Sequence, residues 1–138
     1  MNVENITVLG STGSIGQNTL DVIRRNPERF RVKALGAGSN AEKMLKDIRE
    51  FRPDVAVLAD KNAAALLEKR VREDPELASV RVEGGYDVLS SIASLPDTDS
   101  VMAAISGSAG LVPALAAIKA GKKLYLANKE SLIMTGHL

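Results

Sequence analysis

Gly10, Gly13 and Gly16 stand between an apolar, β-branched run, Asn5 to Leu9, and a segment in which Ile15, Leu20, Val22 and Ile23 recur at helical spacing. A strand that turns through glycine into a helix is suited to hold a pyrophosphate, because the free N–H groups and the dipole of the helix N-terminus favour an anion. Gly10 permits the tight turn, Gly13 keeps a Cβ out of the path of the phosphates, and Gly16 lets the helix pack closely on the strand. The spacing G-x-x-G-x-x-G is a variant of the commoner G-x-G-x-x-G, and a plain strand-to-helix turn uses the same residues. The nucleotide reading is favoured by context: a strand before, a helix after, and further β/α alternation beyond.

A second group lies at Gly36-Ala37-Gly38-Ser39-Asn40, where a second strand ends. Domains that select NAD usually carry a carboxylate there, which hydrogen-bonds the ribose 2′-OH and would repel a 2′-phosphate. This chain has no acid at that point. Two hydrogen-bonding side chains, another helix start and nearby Lys43 favour NADP instead. Ser39 and Glu42 also fit an S-x-x-E capping box, which would give Ser39 the separate task of starting the helix.

Asn128-Lys129-Glu130 follows the strand Lys123 to Ala127, on the same edge of the expected sheet. Lys129 there could neutralise a bound anion; equally, it reads as a surface lysine and Glu130 as a first-turn carboxylate complementing the helix dipole. No carboxylate cluster with metal-ligand spacing and no Ser/His/Asp set is evident. The only histidine, His137, is assigned no role.

The elements that must position these groups alternate along the chain. Arg31 to Leu35 reads as a strand ending at Gly36-Ala37-Gly38, and Met44, Leu45, Ile48 and Phe51 mark one face of a helix that stops before Pro53. Val55 to Leu58 is the third strand, followed by a helix from Asn62 to Arg72 with Leu66, Leu67 and Val71 inward. Ser79 to Glu83 suits an edge strand, and Tyr86, Leu89, Ile92 and Ala93 mark a helix. Val101 to Ile105 is a continuous apolar run, as a central parallel strand should be, and the loop Ser106 to Gly110 follows its carboxyl end. A helix from Leu111 to Ala120, the strand Lys123 to Ala127 and a last helical segment complete the order. The expected fold class is α/β: a Rossmann-like, doubly wound parallel sheet with helices on both faces.

At 138 residues and 45% hydrophobic, the chain can build one domain with a real core. Its net charge of +1, with no basic run, and its four aromatic residues argue against nucleic acid. No stretch is apolar for long enough to span a membrane, and with no cysteine present there is neither a disulfide framework nor a thiolate site. These features fit a cytoplasmic protein. The sequence stops without a change of composition, which reads as a piece, residues 1–138, of a longer protein.

Gly10-Ser11-Thr12-Gly13-Ser14-Ile15-Gly16-Gln17-Asn18-Thr19-Leu20-Asp21-Val22, Asn26-Pro27-Glu28-Arg29-Phe30 and Leu126-Ala127-Asn128-Lys129-Glu130-Ser131-Leu132 together resemble the 1-deoxy-D-xylulose 5-phosphate reductoisomerase family. The resemblance spans the chain and includes Ala104 to Gly110 and Leu111 to Gly121. It implies the N-terminal NADPH-binding domain of an oxidoreductase of non-mevalonate isoprenoid synthesis. That enzyme rearranges and reduces 1-deoxy-D-xylulose 5-phosphate to 2-C-methyl-D-erythritol 4-phosphate. Carried over position by position, Thr12, Gly13, Ser14 and Ile15 hold the pyrophosphate, and Gly38, Ser39 and Asn40 surround the 2′-phosphate. Ala104 and Ile105 face the adenosine and nicotinamide side, Asn128 and Glu130 touch the ribose region, and Lys129 contacts substrate. Many relatives have a lysine where this chain has Ser39, with Lys43 the candidate substitute.

The resemblance further implies a divalent metal, Mg or Mn, a phosphorylated sugar substrate and a homodimer. The metal and phosphate ligands lie beyond Leu138, so no catalytic or metal residue is assigned within the chain. Two other readings are another NADP-dependent dehydrogenase domain and a non-catalytic nucleotide-sensing module.

Overall fold

The computed structural model describes residues 3–105, 111–127 and 132–136. Among these, seven strands form one sheet in the order β4-β3-β2-β1-β5-β6-β7. They are β1 (Glu4–Leu9), β2 (Phe30–Ala37), β3 (Val55–Leu58), β4 (Arg81–Gly84), β5 (Ser100–Ala103), β6 (Lys123–Ala127) and β7 (Leu132–Gly136). Between them run α1 (Ser14–Arg25), α2 (Ala41–Phe51), α3 (Lys61–Arg72), α4 (Tyr86–Ser91) and α5 (Leu111–Lys119). The first six strands are parallel.

Two apolar layers close the sheet. On one face Leu20 and Ile23 of α1, Met44, Leu45 and Ile48 of α2 and Leu67 and Val71 of α3 pack with Ile6, Val8, Val32, Leu35 and Leu58. On the other, Leu89 of α4, Ile92 and Ala93 of the 3-10 turn that follows it, and Ala117 of α5 pack with Leu9, Ala34, Val57, Val101 and Leu124. The central strands are buried on both sides, which is why they read as unbroken apolar runs instead of alternating ones. The expected α/β, doubly wound architecture is present.

Four local expectations are corrected. The final segment is not helical: β7 pairs antiparallel with β6, Tyr125 opposite Met134 and Leu126 opposite Ile133. Its Leu-Ile-Met-Thr run has no helical stripe, and pairing with β6 supplies the partners that a sheet margin otherwise lacks. The second strand continues beyond Leu35 to Ala37, because β3 pairs along it as far as Leu58. Val22 is 52% exposed and Leu66 48% exposed. The buried stripes are instead Gly16, Thr19, Leu20 and Ile23 on α1 and Ala64, Leu67 and Val71 on α3.

The fourth correction concerns the start of α2. Asn40, not Ser39, is its N-cap, and the Asn40 Oδ1 accepts the Lys43 N–H at 3.1 Å. The helix begins one residue later than a Ser39–Glu42 box requires, so Lys43 occupies the capped position and Glu42 cannot reach back. Asn40→Ala should therefore cost about 1 kcal/mol of unfolding free energy, whereas Ser39→Ala should change it little. Urea titration of the two variants measures the difference.

At the amino ends of β2 and β3, Asp54 accepts from Lys33 at 2.6 Å and from Arg31 at 2.8 Å. The hydrogen bond from Lys33, seconded by that from Arg31, holds the Asp54 carboxyl below its ordinary range. A lowered carboxylate stabilises the fold above its unfolded value of about 3.9, and the contribution disappears as pH falls through the folded value. Asp54→Asn should lower Tm at neutral pH, and the gap to the parent protein should close as the pH falls through the lowered folded value, below the ordinary carboxylate range. Thermal melts across that range test this.

Candidate nucleotide site

Because six strands run parallel, their carboxyl ends gather along one edge, and the loops that leave this edge are the candidate ligand loops. After β1 the chain moves outward through α1 to β2 on one face of the sheet; β5 leads through α5 to β6 on the other. Between β1 and β5 the winding reverses, which opens a crevice at their carboxyl ends.

The glycine turn fills the head of that crevice. Gly10 has φ +82°, a region that side chains disfavour, and a Cβ there would come within 2.6 Å of the Ala104 carbonyl oxygen. The Ala104 N–H donates to the Leu9 carbonyl at 2.8 Å. On the opposite side, the N–H groups of Gly10 and Ser11 both donate to the Gly36 carbonyl, at 2.7 and 3.1 Å. The ties of the turn to β2 and β5 are thus made by main chain. Gly16 performs a tighter duty than helix-on-strand packing: a Cβ there would be driven into the Gly10 carbonyl and to 2.6 Å from the Ser11 Cα. It is the first turn of α1 that folds back on the glycine loop.

Of the residues expected to bind the pyrophosphate, Thr12 and Ile15 are half-buried and Gly13 and Ser14 are exposed. The N-cap of α1 is Gly13, which provides no side-chain cap, and the first turn holds no acidic residue. Helices α2 and α3 differ on this point. Asn40 caps the one, and Asp60 caps the other by accepting the Ala63 N–H at 3.0 Å. Among these three, only α1 presents a first turn that no side chain covers.

Gly38, Ser39 and Asn40 are exposed just beyond the end of β2, and a Cβ on Gly38 would meet nothing within 4 Å. Ala104 and Ile105 are half-buried beside Gly10. The structure therefore brings together Thr12, Gly13, Ser14, Ile15, Ala104 and Ile105 at the head of the crevice, with Gly38 to Asn40 on the adjoining strand. Asn128, Lys129 and Glu130 lie outside the described residues, as does the loop 106–110.

Three residues at this edge escaped the sequence reading. Asp60, two residues beyond β3, donates its main-chain N–H to the Gly38 carbonyl at 3.0 Å, while its carboxylate is engaged as the cap of α3. Gln17 donates its Nε2 to the Ser11 carbonyl at 2.8 Å and to the Asp47 Oδ2 at 3.0 Å. Asp47 is 3% exposed on α2. Burial pushes its carboxyl up from the ordinary value, the Gln17 hydrogen bond opposes that, Glu50 adds to it and Lys43 and Lys46 oppose it. The only available signal was a lone acid on the apolar stripe of α2, one turn after Lys43.

A groove of about 460 Å³ lies at the amino ends of β1 and β2, its apolar floor of Val3, Ile23, Pro27, Phe30 and Phe51 rimmed by Arg24, Arg31 and Glu50, and none of the expected site residues lines it. Among the described residues no three His, Cys, Asp or Glu side chains come together as a metal site.

Residues 6–136 match the profile of the family described as 1-deoxy-D-xylulose 5-phosphate reductoisomerase. A curated member from Dechloromonas aromatica is 54% identical over 136 residues, which cover 99% of this chain and 34% of that protein. One from Nitrosococcus oceani is 49% identical over 133 residues, covering 96% of this chain and 33% of that protein. Among solved structures, the reductoisomerase from Zymomonas mobilis in complex with NADPH is similar at a TM-score of 0.83 and 41% identity, over 94% of this chain and 33% of that one. A DOX-P reductoisomerase in complex with magnesium is similar at a TM-score of 0.84 and 41% identity, over 94% of this chain and 32% of the other. The chain thus spans about a third of the length of the relatives it matches. It belongs to the 1-deoxy-D-xylulose 5-phosphate reductoisomerase family.

Proposed function

We propose that this chain is the NADPH-binding domain, residues 1–138, of an enzyme that converts 1-deoxy-D-xylulose 5-phosphate to 2-C-methyl-D-erythritol 4-phosphate. The observation that carries the reading is the uncapped first turn of α1, set at the reversal of the sheet's winding and beside a β2 end that has no acid of its own. Family membership and the NADPH complex of the Zymomonas mobilis relative support it.

In this reading Thr12, Gly13, Ser14 and Ile15 hold the cofactor's pyrophosphate: the N–H groups of Thr12, Ser14 and Ile15 donate to it with the helix dipole behind them, and Gly13, whose N–H donates to the Gly10 carbonyl, leaves its approach free of a side chain. Ser39 and Asn40 receive the 2′-phosphate. The Asn40 Oδ1 is committed to the helix cap, so its Nδ2 is the end that donates to the phosphate, and Gly38 leaves the approach open. Ala104 and Ile105 form the wall between the adenosine and nicotinamide ends. Asn128 and Glu130 contact the ribose region, and Lys129 contacts the phosphorylated sugar. NADPH supplies the hydride. The Mg or Mn ion and the substrate phosphate are held by residues in the portion of the family's length that this chain does not span. The full-length enzyme is assigned to the cytoplasm as a homodimer.

Isothermal titration calorimetry on this chain should show NADPH binding more tightly than NADH, because no carboxylate stands at the end of β2 to accept from a 2′-OH. Equal affinities would overturn the reading. Ser39→Asp, which places a charge beside the 2′-phosphate, should reverse the order.

Chemistry needs substrate held at near-attack distance from the nicotinamide, an arrangement that accounts for about 7–11 kcal/mol of barrier lowering in well-oriented reactions. This chain alone should therefore oxidise no NADPH when given 1-deoxy-D-xylulose 5-phosphate with Mg²⁺ or Mn²⁺. A full-length family member containing it should turn over under the same conditions. Measurable turnover by the chain alone would move the catalytic groups into residues 1–138.

A further inference from the structure

The Gln17 side chain hydrogen-bonds both the glycine turn and the helix following the second strand. Its amide nitrogen has two hydrogens; one goes to the Ser11 carbonyl at 2.8 Å and the other to the Asp47 Oδ2 at 3.0 Å. Asp47 is 3% exposed and lies within α2, the helix whose start carries Ser39 and Asn40. The Ser11 peptide is the link between Gly10 and the Thr12-to-Ile15 stretch, and Ser11 is itself fully buried. The other tie from α1 to α2, Arg24 to Glu50 at 2.7 Å, lies two turns further along α1, close to the amino ends of the strands, and leaves the turn untouched.

We propose that Gln17 and Asp47 are positioning residues for the cofactor site. The buried carboxylate fixes the Gln17 amide, the amide fixes the Ser11 carbonyl, and the glycine turn is held in its anion-ready shape at a set distance from the 2′-phosphate loop. The inference rests on the NADPH reading for its functional meaning; the tie between turn and helix is a property of the ligand-free protein. A side chain that only joined two helices would have no need of the Ser11 carbonyl. A pair that joins the turn to the helix couples the two anion-binding ends of the site, so that loosening one displaces the other. A buried acid is retained only where its hydrogen bonds are satisfied, and Gln17 supplies the one that joins it to α1.

The test uses Gln17→Leu, Asp47→Leu and the conservative Asp47→Asn in this chain. Amide hydrogen exchange in the ligand-free protein reads the turn directly through the Gly10, Ser11 and Gly13 N–H groups, which are hydrogen-bonded to Gly36 and Gly10. The amides of β1 and β5 serve as the reference for global opening. Expected are at least tenfold faster exchange of the three turn amides relative to that reference in Gln17→Leu, and a smaller acceleration in Asp47→Leu. Rates in Asp47→Asn should stay near those of the parent, since its Oδ1 still accepts from Gln17.

NADPH affinity by calorimetry should fall about tenfold in Gln17→Leu and stay within twofold of the parent in Asp47→Asn. Turn amides that keep pace with the strand reference in both leucine variants would overturn the proposal, and so would unchanged NADPH affinity despite a loosened turn. A parent protein that fails to bind NADPH while its turn amides respond as expected would overturn the cofactor reading and leave the tie standing.

Discussion

The site depends on one close approach of backbone to backbone. At Gly10 the end of β1 passes the Ala104 carbonyl with no room for a Cβ, while Gly16 seats the first turn of α1 on the Gly10 carbonyl. Each contact is between main-chain atoms, and the hydrogen bonds that reinforce them are main-chain too, from Gly10 and Ser11 to Gly36 and from Ala104 to Leu9. A ligand loop fixed in this way has its N–H groups aimed before any ligand arrives. Preorganisation of this kind avoids ordering a loop at the moment of binding.

The rest of the fold makes that approach possible. Leu9 is fully buried in one apolar layer, while Val8, also fully buried, lies in the other, so β1 is clamped between α1, α2 and α3 on one side and α4 and α5 on the other. A strand gripped on both faces delivers its carboxyl end to a defined height. The burial that stabilises the domain therefore also sets where the glycine turn lies, and the exposed edge needs little packing of its own.

The strands and the winding were legible because parallel, doubly covered strands leave unbroken apolar runs such as Val55 to Leu58 and Val101 to Ala103. Helix faces were legible as far as the stripe extended: Met44, Leu45 and Ile48 are buried as their spacing demands, while Val22 and Leu66 fall one position off the stripe and are exposed. The cap of α2 was misread because Ser39 and Asn40 both qualify chemically, and which of them occupies the N-cap depends on where the backbone turns. The last segment was read as a helix, yet it borders β6, where strand pairing outweighs local preference. The pairing of Gln17 with Asp47 was not legible in the sequence: they are 30 residues apart, and only the packing of α1 beside α2 makes them partners. The glycine spacing, by contrast, is local, seven residues from Gly10 to Gly16, although the Ala104 carbonyl that excludes a side chain at Gly10 comes from just beyond β5.

A net charge of +1 is a meagre endowment for a protein proposed to hold a ligand with several phosphate charges. The structure resolves the mismatch by geometry. At the glycine turn the anion would meet the N-terminus of a 12-residue helix, whose aligned peptides present roughly half a positive charge with no lysine or arginine in the first turn. At the β2 end the proposed donors, Ser39 and Asn40, are both neutral, with Lys43 in the first turn of α2 the nearby cation. Asp60, the nearby acid, has its carboxylate turned to the N-terminus of α3. Recognition by fixed dipoles in a crevice is less exposed to screening by salt than recognition by mobile surface charges, and it discriminates by shape as well as sign. Three of the cationic side chains of α3, Lys69, Arg70 and Arg72, gather in its last turn, at the far end of that helix from this edge, where they complement its C-terminal dipole.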